Sequence, residues 1–463
     1  MSPIELERYS SSNKIWGTKV KRLRLPDLLC VKTGLRVEVR AKSALAIKMS
    51  DAPDNPARRW SSGLRPLDMV AFVQCRDVDG TLIPAPTTEL FWVRELSDCA
   101  ENGTRLGPPK SASEGSERDR EWPAIVPSQS GQVLEVTSEK IRTELITGRK
   151  QTYSLSGKTP YVSAGENFAG EIQFIAGLPS RKASFSEVLQ QSWNPRSQLD
   201  GDAIDRYAAA KALSVVGLDS DQELLRALMN DPDSRVALEA AGSLAKLGHS
   251  DGLTALLHSV MNPATDYLRM EAIFIISELK SSKLHHEACE VLFDIAKSVQ
   301  LTGDESRQAA IWGLGFSGLC DFEKILDFLD AEDESERTHA IISLGGVLPN
   351  QIISLIANIL SDDSESDRKR ASASFVLQNL EDKHSVVEAL IPILRNGSRT
   401  ARGWATLTLG SLPPNDANRY ISDTDIKNQI FPLQLLSPTC NWTKSETNQD
   451  AIRFVAKQTL ASN

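Results

Sequence analysis

One pattern recurs seven times in the second half of this 463-residue chain, and internal repetition narrows the possible folds more than any other feature. Starting at Arg206, RYAAAKALSVVG places small or apolar residues at offsets +3, +4, +6 and +7. The same frame returns at Arg269 (RMEAIFIISEL), Arg307 (RQAAIWGLGFSG), Arg337 (RTHAIISLGGVL), Arg370 (RASASFVLQNL) and Arg402 (RGWATLTLGSL). A copy at Ala237 (ALEAAGSLAKLG) lacks the arginine but has Arg235 two residues upstream. The spacings are 31, 32, 38, 30, 33 and 32 residues. A second apolar run follows the copies (LLRALM, LTALLHSVM, ACEVLFDIA, EKILDFL, QIISLIANIL, VVEALIPIL), and then a polar turn. Each unit is therefore a helical pair whose alanine- and glycine-rich face lets the next pair come close. Such pairs cannot bury that face alone and must stack into a solenoid. The recurring arginines read as structural, bonding acidic turns between neighbouring repeats.

Composition removes several classes of function. No stretch approaches 18 uncharged apolar residues, so no membrane span is expected. The N-terminus lacks a basic flank followed by an apolar run, so no secretion signal is expected and the chain reads as cytoplasmic. The six cysteines (Cys30, Cys75, Cys99, Cys289, Cys320, Cys440) contain no C-x-x-C pair and read as buried or idle thiols, not a disulfide framework or zinc site. All six histidines lie from His249 onward. Chemistry in the N-terminal half must therefore do without a Ser-His or Cys-His pair or a histidine-bound zinc. The net charge of -9 is unevenly spread: residues 1–96 hold 16 Lys and Arg against 11 Asp and Glu, and residues 200–463 hold 24 against 38. A basic N-terminal part in an acidic protein suggests contact with a polyanion.

These readings give a multidomain α+β chain in three main parts: a small α/β domain over 1–96, a β-rich module over 131–182 and an α-solenoid of about seven repeats over 202–412. The segment 97–130, rich in Gly, Pro, Ser and alternating charge, reads as a linker. Residues 413–463, with the helical pattern QDAIRFVAKQTL, read as a C-terminal cap. In the middle module, GQVLEV, IRTELI, TYSLSG and IQFIAG alternate apolar and polar residues between Gly-containing turns. The run VSAGENFAGEIQFIAG resembles the closing strands of a barrel-sandwich hybrid domain. Lipoyl and biotinyl carriers share that architecture, but the residues around Lys150 in the TGRKQ turn do not match their motifs, which leaves a structural or docking module. The repeats resemble the HEAT family, specifically the short HEAT-like repeats related to phycobilisome lyases; a protein partner on the solenoid is what that resemblance implies.

The chemistry-bearing constellation lies at 19–42, KVKRLRLPDLLCVKTGLRVEVRAK. Two alternating runs flank a Thr33–Gly34 turn, which signals a hairpin. Asp27 opens the first strand, and Glu38, Arg40 and Lys42 share one face of the second because strand side chains alternate with period two. Two carboxylates on adjacent strands can hold Mg²⁺, and a neighbouring cation can stabilise developing charge. Pro26–Asp27, a Gly turn, then a strand carrying an acid and a base resembles the PD-(D/E)xK nuclease superfamily, with a restriction-endonuclease-like fold. The resemblance assigns Asp27 and Glu38 to a Mg²⁺ or Mn²⁺ ion. The family lysine position holds Arg40, which cannot act as a base, and Lys42 stands two residues further on. Glu5 or Glu7, in an expected first helix, is the candidate extra acid. MVAFVQC (69–75) and ELFWVREL (89–96) supply two more expected strands.

Lys19, Lys21, Arg22 and Arg24 form a basic run suited to a phosphate backbone, which Arg58, Arg59 and Trp60 would extend by stacking on a base. The leading expectation is metal-dependent cleavage of nucleic acid, DNA in first place, with the solenoid holding substrate or a partner protein. The alternative is a non-catalytic scaffold or adaptor whose N-terminal domain docks on nucleic acid or on another protein.

Overall fold

The computed structural model describes residues 2–6, 16–18, 23–78, 81–110, 117–188, 191–279, 282–301, 303–316, 322–345 and 349–412. The cap expected at 413–463 lies outside them, as do Glu7, Lys19, Lys21 and Arg22. The chain divides into two compact units, Met1–Tyr9 with Lys21–Val236, and Ser10–Val20 with Ala237–Asn463.

In the first unit, β1 (Pro3–Glu5), β2 (Leu28–Cys30), β3 (Arg36–Lys42), β4 (Ile47–Asp51), β5 (Met69–Val78), β6 (Thr81–Pro84) and β7 (Glu89–Trp92) precede α1 (Val93–Gly103). One mixed sheet runs β1-β2-β3-β5-β6, with β7 also paired to β5. Only the β3–β5 pairing is parallel, with Glu38 opposite Val70 and Arg40 opposite Phe72. A parallel pair requires a crossover, commonly built around an α-helix. Here residues 43–68 supply β4 and a short 3-10 turn at Pro56–Arg58, and no α-helix. Glu5, expected in a first helix, instead ends β1, is exposed, and pairs with Leu28.

The strand expected at 89–96 stops at Trp92 and turns into α1. Val93, Leu96 and Ala100, at helical spacing, are the buried positions of that helix, and their period of three to four outweighs the local β-propensity of FWV. The segment 97–130 corrects the linker reading. It contributes the end of α1, β8 (Arg105–Pro109), β9 (Arg118–Trp122) and β10 (Ala124–Ile125). Strand β9 pairs antiparallel with both β4 and β8. Trp122 is fully buried, and its Nε1–H donates to the Leu96 carbonyl at 2.9 Å. One apolar core therefore joins Ile47, Met49, Trp60, Val70, Phe72, Phe91, Leu96, Trp122 and Phe174. Those residues span both the expected nuclease-like segment and the middle module.

The middle module contains β11 (Gly131–Val136), β12 (Lys140–Leu145), β13 (Lys150–Ser154), β14 (Thr159–Pro160), β15 (Asn167–Phe168) and β16 (Ala176–Gly177). They form the sheets β13-β12-β11-β15 and β10-β16-β14 around Val133, Ile141, Leu145, Leu155, Phe168 and Ile175. Lys150 is exposed at the start of β13, opposite Glu144.

The repeats are helical pairs, as expected. The recurring frame forms α2 (Ala203–Val216), and its partner run forms α3 (Gln222–Leu228). Then come α4 (Ser234–Lys246), α5 (Ser250–Met261), α6 (Asp266–Ser277), α7 (His285–Lys297), α8 (Glu305–Phe316) and α9 (Phe322–Leu326). The described part closes with α10 (Glu334–Gly345), α11 (Pro349–Ser361), α12 (Asp367–Asn379), α13 (Lys383–Asn396) and α14 (Arg399–Ser411). Offsets +3, +4, +6 and +7 are the buried stripe: Ala209, Ala210, Ala212 and Leu213 in α2, and Ala373, Ser374, Val376 and Leu377 in α12. Gly313, at +6 in α8, shows why small residues recur there, since a Cβ on it would stand 2.2 Å from Ser277 Oγ on α6. Short side chains cap helix starts, as Asp202, Ser366 and Ser398 accept the backbone N–H of Asp205, Lys369 and Ala401.

The frame arginines bond turns. Arg206 Nε donates to Asp231 at 2.6 Å and its Nη1 to the Gly201 carbonyl at 2.7 Å. Arg269 pairs with Asp304. Arg307 reaches Glu336 at 3.1 Å and the Ala296 carbonyl at 2.8 Å. Arg337 Nη1 donates to the carbonyls of Ala331 and Glu332. These charged bonds tie one repeat to the turn of the next or close its own, which is the structural role expected of them. Cys30, Cys75 and Cys99 are free thiols. Cys289 is disulfide-bonded, which corrects the reading of all six as thiols: pairing follows spatial proximity, and sequence spacing does not report it.

Candidate carboxylate site on the N-terminal hairpin

Backbone hydrogen bonds from Gly34 N–H and Thr33 N–H to the Cys30 carbonyl close the turn between β2 and β3. Gly34 sits at φ +72°, and a Cβ there would meet the Trp193 ring at 2.5 Å, so glycine is required on both counts. Leu28 pairs with Val37, so the next step of the register brings Asp27 across from Glu38. The hairpin therefore sets the two residues at neighbouring positions beyond the last backbone pair.

What they bond is a different matter. An Asp27 carboxylate oxygen accepts the Val39 N–H at 2.6 Å, closing the end of the strand pair where the backbone ladder stops. The Glu38 carboxylate takes the Arg40 guanidinium at 2.5 Å. Glu38 is buried on the sheet face shared with Val70 and Phe72, so its charge needs a partner there. Arg40 supplies it. Lys42, half-buried two residues beyond Arg40, feels the charge of Asp119 on β9. Burial first, and the charge of Arg40 second, hold its amine below the ordinary lysine range, with Asp119 opposing. Asp119 itself is ion-paired to Lys48 at 2.8 Å and Lys110 at 3.0 Å.

Mg²⁺ requires near-octahedral oxygen donors. Asp27 and Glu38 offer two carboxylates already engaged by Val39 N–H and Arg40, and among the described residues no group of three or more His, Cys, Asp or Glu converges. The donor set does not fit the ion. Of the basic run, Arg24 alone is described, and it is exposed. Trp60 is buried edge-on to Trp122, with ring centroids 5.1 Å apart, and belongs to the core. Arg58 pairs with Glu117 and Arg59 with the Pro53 carbonyl.

Two buried ion pairs of the first unit escaped sequence reading. Arg36, two residues before Glu38 on the same face of β3, makes a two-pronged bond to Asp68 at 2.8 and 2.5 Å. Arg120 on β9 binds Asp51 at 2.6 Å and donates to the Ala100 carbonyl and Thr104 hydroxyl, each at 2.7 Å. Their partners lie 32 and 69 residues apart, with no local pattern to announce them.

Comparison with known proteins agrees with the helical half. Residues 196–277 match the HEAT repeats. The complex of CpcE and CpcF of phycocyanin lyase from Nostoc sp. PCC7120 is 19% identical, with a TM-score of 0.26, covering 54% of this chain and 97% of that one. Escherichia coli YibA is 17% identical over 56% of this chain and 96% of its own, with a TM-score of 0.25. An engineered protein is 16% identical over 61% and 76%, with a TM-score of 0.23. No curated protein matches the chain. Among the described residues no helix is long and apolar enough to cross a membrane.

Proposed function

We propose that this protein is a non-catalytic scaffold: its HEAT-like repeats dock a partner protein, and its N-terminal sheet is a nuclease-like domain kept for structure and docking. The observation that carries this reading is the Arg40–Glu38 ion pair. The residue at the base position neutralises the second acid of the motif, while the first acid, Asp27, ends the strand ladder at Val39. Both carboxylates do structural work that a metal site would have to undo. The acidic balance of residues 200–463 supports a basic protein segment, and not a phosphate backbone, as the repeats' partner.

Two measurements test this. In a double-mutant cycle of Glu38→Gln and Arg40→Met, we expect a coupling energy of about 0.5–1 kcal/mol, because the Arg40 side chain is 37% exposed and solvent screens the pair. Millimolar Mg²⁺ or Mn²⁺ should leave the melting temperature unchanged, since only an ion that binds the native state stabilises it. A second reading, the metal-dependent nuclease, is favoured by the register that sets Asp27 beside Glu38. It requires the reverse: no coupling to Arg40, and a metal-dependent rise in melting temperature that Asp27→Asn abolishes.

A further inference from the structure

The second unit contains a short non-helical segment seated on its repeats. Trp16 is 2% exposed. Its ring stacks on His339, with centroids 4.9 Å apart and planes at 18°. It meets Trp312 edge-on at 6.3 Å and lies 5.8 Å from Phe274. The next two residues present successive backbone N–H groups to one carboxylate: Gly17 N–H donates to Glu305 Oε1 and Thr18 N–H to Oε2, the latter at 2.7 Å.

The cradle comes from three consecutive repeats. Phe274 on α6 and Trp312 on α8 both stand five residues after their frame arginine, and His339 on α10 two residues after its own. Position +5 borders the stripe at +3, +4, +6 and +7: in the copy at Ala237 it is Gly242, where a Cβ would meet Ile275 at 2.4 Å, whereas here it carries the two rings that close around Trp16 with His339. Glu305 opens α8. The repeats thus supply an aromatic slot and, beside it, a carboxylate aimed at backbone donors: a side-chain anchor plus main-chain recognition, as in other modes of linear-peptide capture. The captured segment lies in a stretch with Lys14, Lys19 and Lys21 and no acid between Ser10 and Lys21, whereas the repeats are acidic, so the charges are complementary.

We propose that this cradle is a peptide-recognition site for a linear, basic segment carrying Trp-Gly, and that Trp16–Thr18 is its resident occupant. A partner segment of the same chemistry must displace that occupant, whose tethering gives it a high effective concentration. The inference rests on the scaffold reading for its biological use but not for its test.

The probe is a labelled synthetic peptide of residues 10–21, titrated onto the full chain. Trp16→Ala vacates the slot, and the peptide should bind that variant at least tenfold more tightly than the wild type. Replacing tryptophan in the peptide by alanine, or adding Glu305→Gln to the variant chain, should weaken binding at least tenfold. Equal binding to wild type and Trp16→Ala, or indifference to the peptide's tryptophan, overturns the proposal. If Trp16→Ala melts the repeats and the peptide does not restore them, Trp16 is a core residue and the proposal fails. Glu305→Gln alone gives an independent arm: trypsin should cut after Lys14 and Lys19 several-fold faster while the melting temperature holds, and an unchanged cutting rate also overturns the site. A chain that cleaves nucleic acid yet binds the peptide would lose the scaffold reading and keep this site.

Discussion

Replacing Arg120 by alanine is expected to destabilise the first unit by about 3–5 kcal/mol, the range for removing one partner of a buried ion pair. Asp51 is 1% exposed. With Arg120 gone its carboxylate keeps only the Trp60 N–H, at 3.2 Å, among the bonds described for it, and it has no cation within the core. The loss spreads, because the same guanidinium holds the Ala100 carbonyl and Thr104 hydroxyl at the end of α1. Strands β4 and β9 and the helix therefore come apart together. Chemical denaturation followed by tryptophan fluorescence reads this directly, since Trp60 and Trp122 sit in that core. Replacing both Asp51 and Arg120 by apolar residues of similar volume should recover much of the loss, because the buried charge is then gone.

Arg307→Ala should have the second large effect, about 3 kcal/mol on the helical repeats, at the lower end of the same range because the Arg307 side chain is 18% exposed. Its sign with pH separates charge from packing. Burial pushes the Glu336 carboxyl above the usual carboxylate range, and Arg307 opposes that shift. A group whose folded-state pKa is raised weighs against the folded state while ionised, and that burden lifts as pH falls through the folded value. Without Arg307 the carboxyl rises further. The deficit of Arg307→Ala relative to wild type should therefore be fully present near neutral pH and shrink as pH falls through the raised pKa. A deficit independent of pH would mean that the arginine acts by packing alone.

The difference between these two arginines shows what the sequence makes visible. Arg307 belongs to a frame that returns seven times, so its role is readable from repetition: the stripe at +3, +4, +6 and +7 is buried in the copies described, apart from the half-buried Ile341, and the arginine sits where turns meet. Arg120 stands in a segment whose Gly, Pro, Ser and charge content looks like a linker. Its pairing with β8 and, far upstream, with β4 makes RDREW a strand. Composition is local and sheet partnership is not. The hairpin lies between these cases. Its turn, its strands and the shared face of Glu38, Arg40 and Lys42 follow from alternation, and so does the approach of Asp27 to Glu38. Which donor each carboxylate accepts depends on rotamers and on the end of a hydrogen-bond ladder, and no spacing rule reports either. Trp16 was hidden for a similar reason, because an isolated Trp-Gly in a polar stretch becomes meaningful only once Phe274, Trp312 and His339 are seen around it.

The most direct test of the scaffold assignment is a cleavage assay of the purified full chain. Supercoiled plasmid, single-stranded DNA and RNA are each incubated with Mg²⁺ or Mn²⁺, beside a chain carrying Asp27→Asn and Glu38→Gln. The expected result is no cleavage by the wild type above the level of the double variant on any substrate. Metal-dependent cleavage by the wild type that the double variant loses, while keeping its fold, would contradict the assignment and make Asp27 and Glu38 the metal-binding acids of an active nuclease.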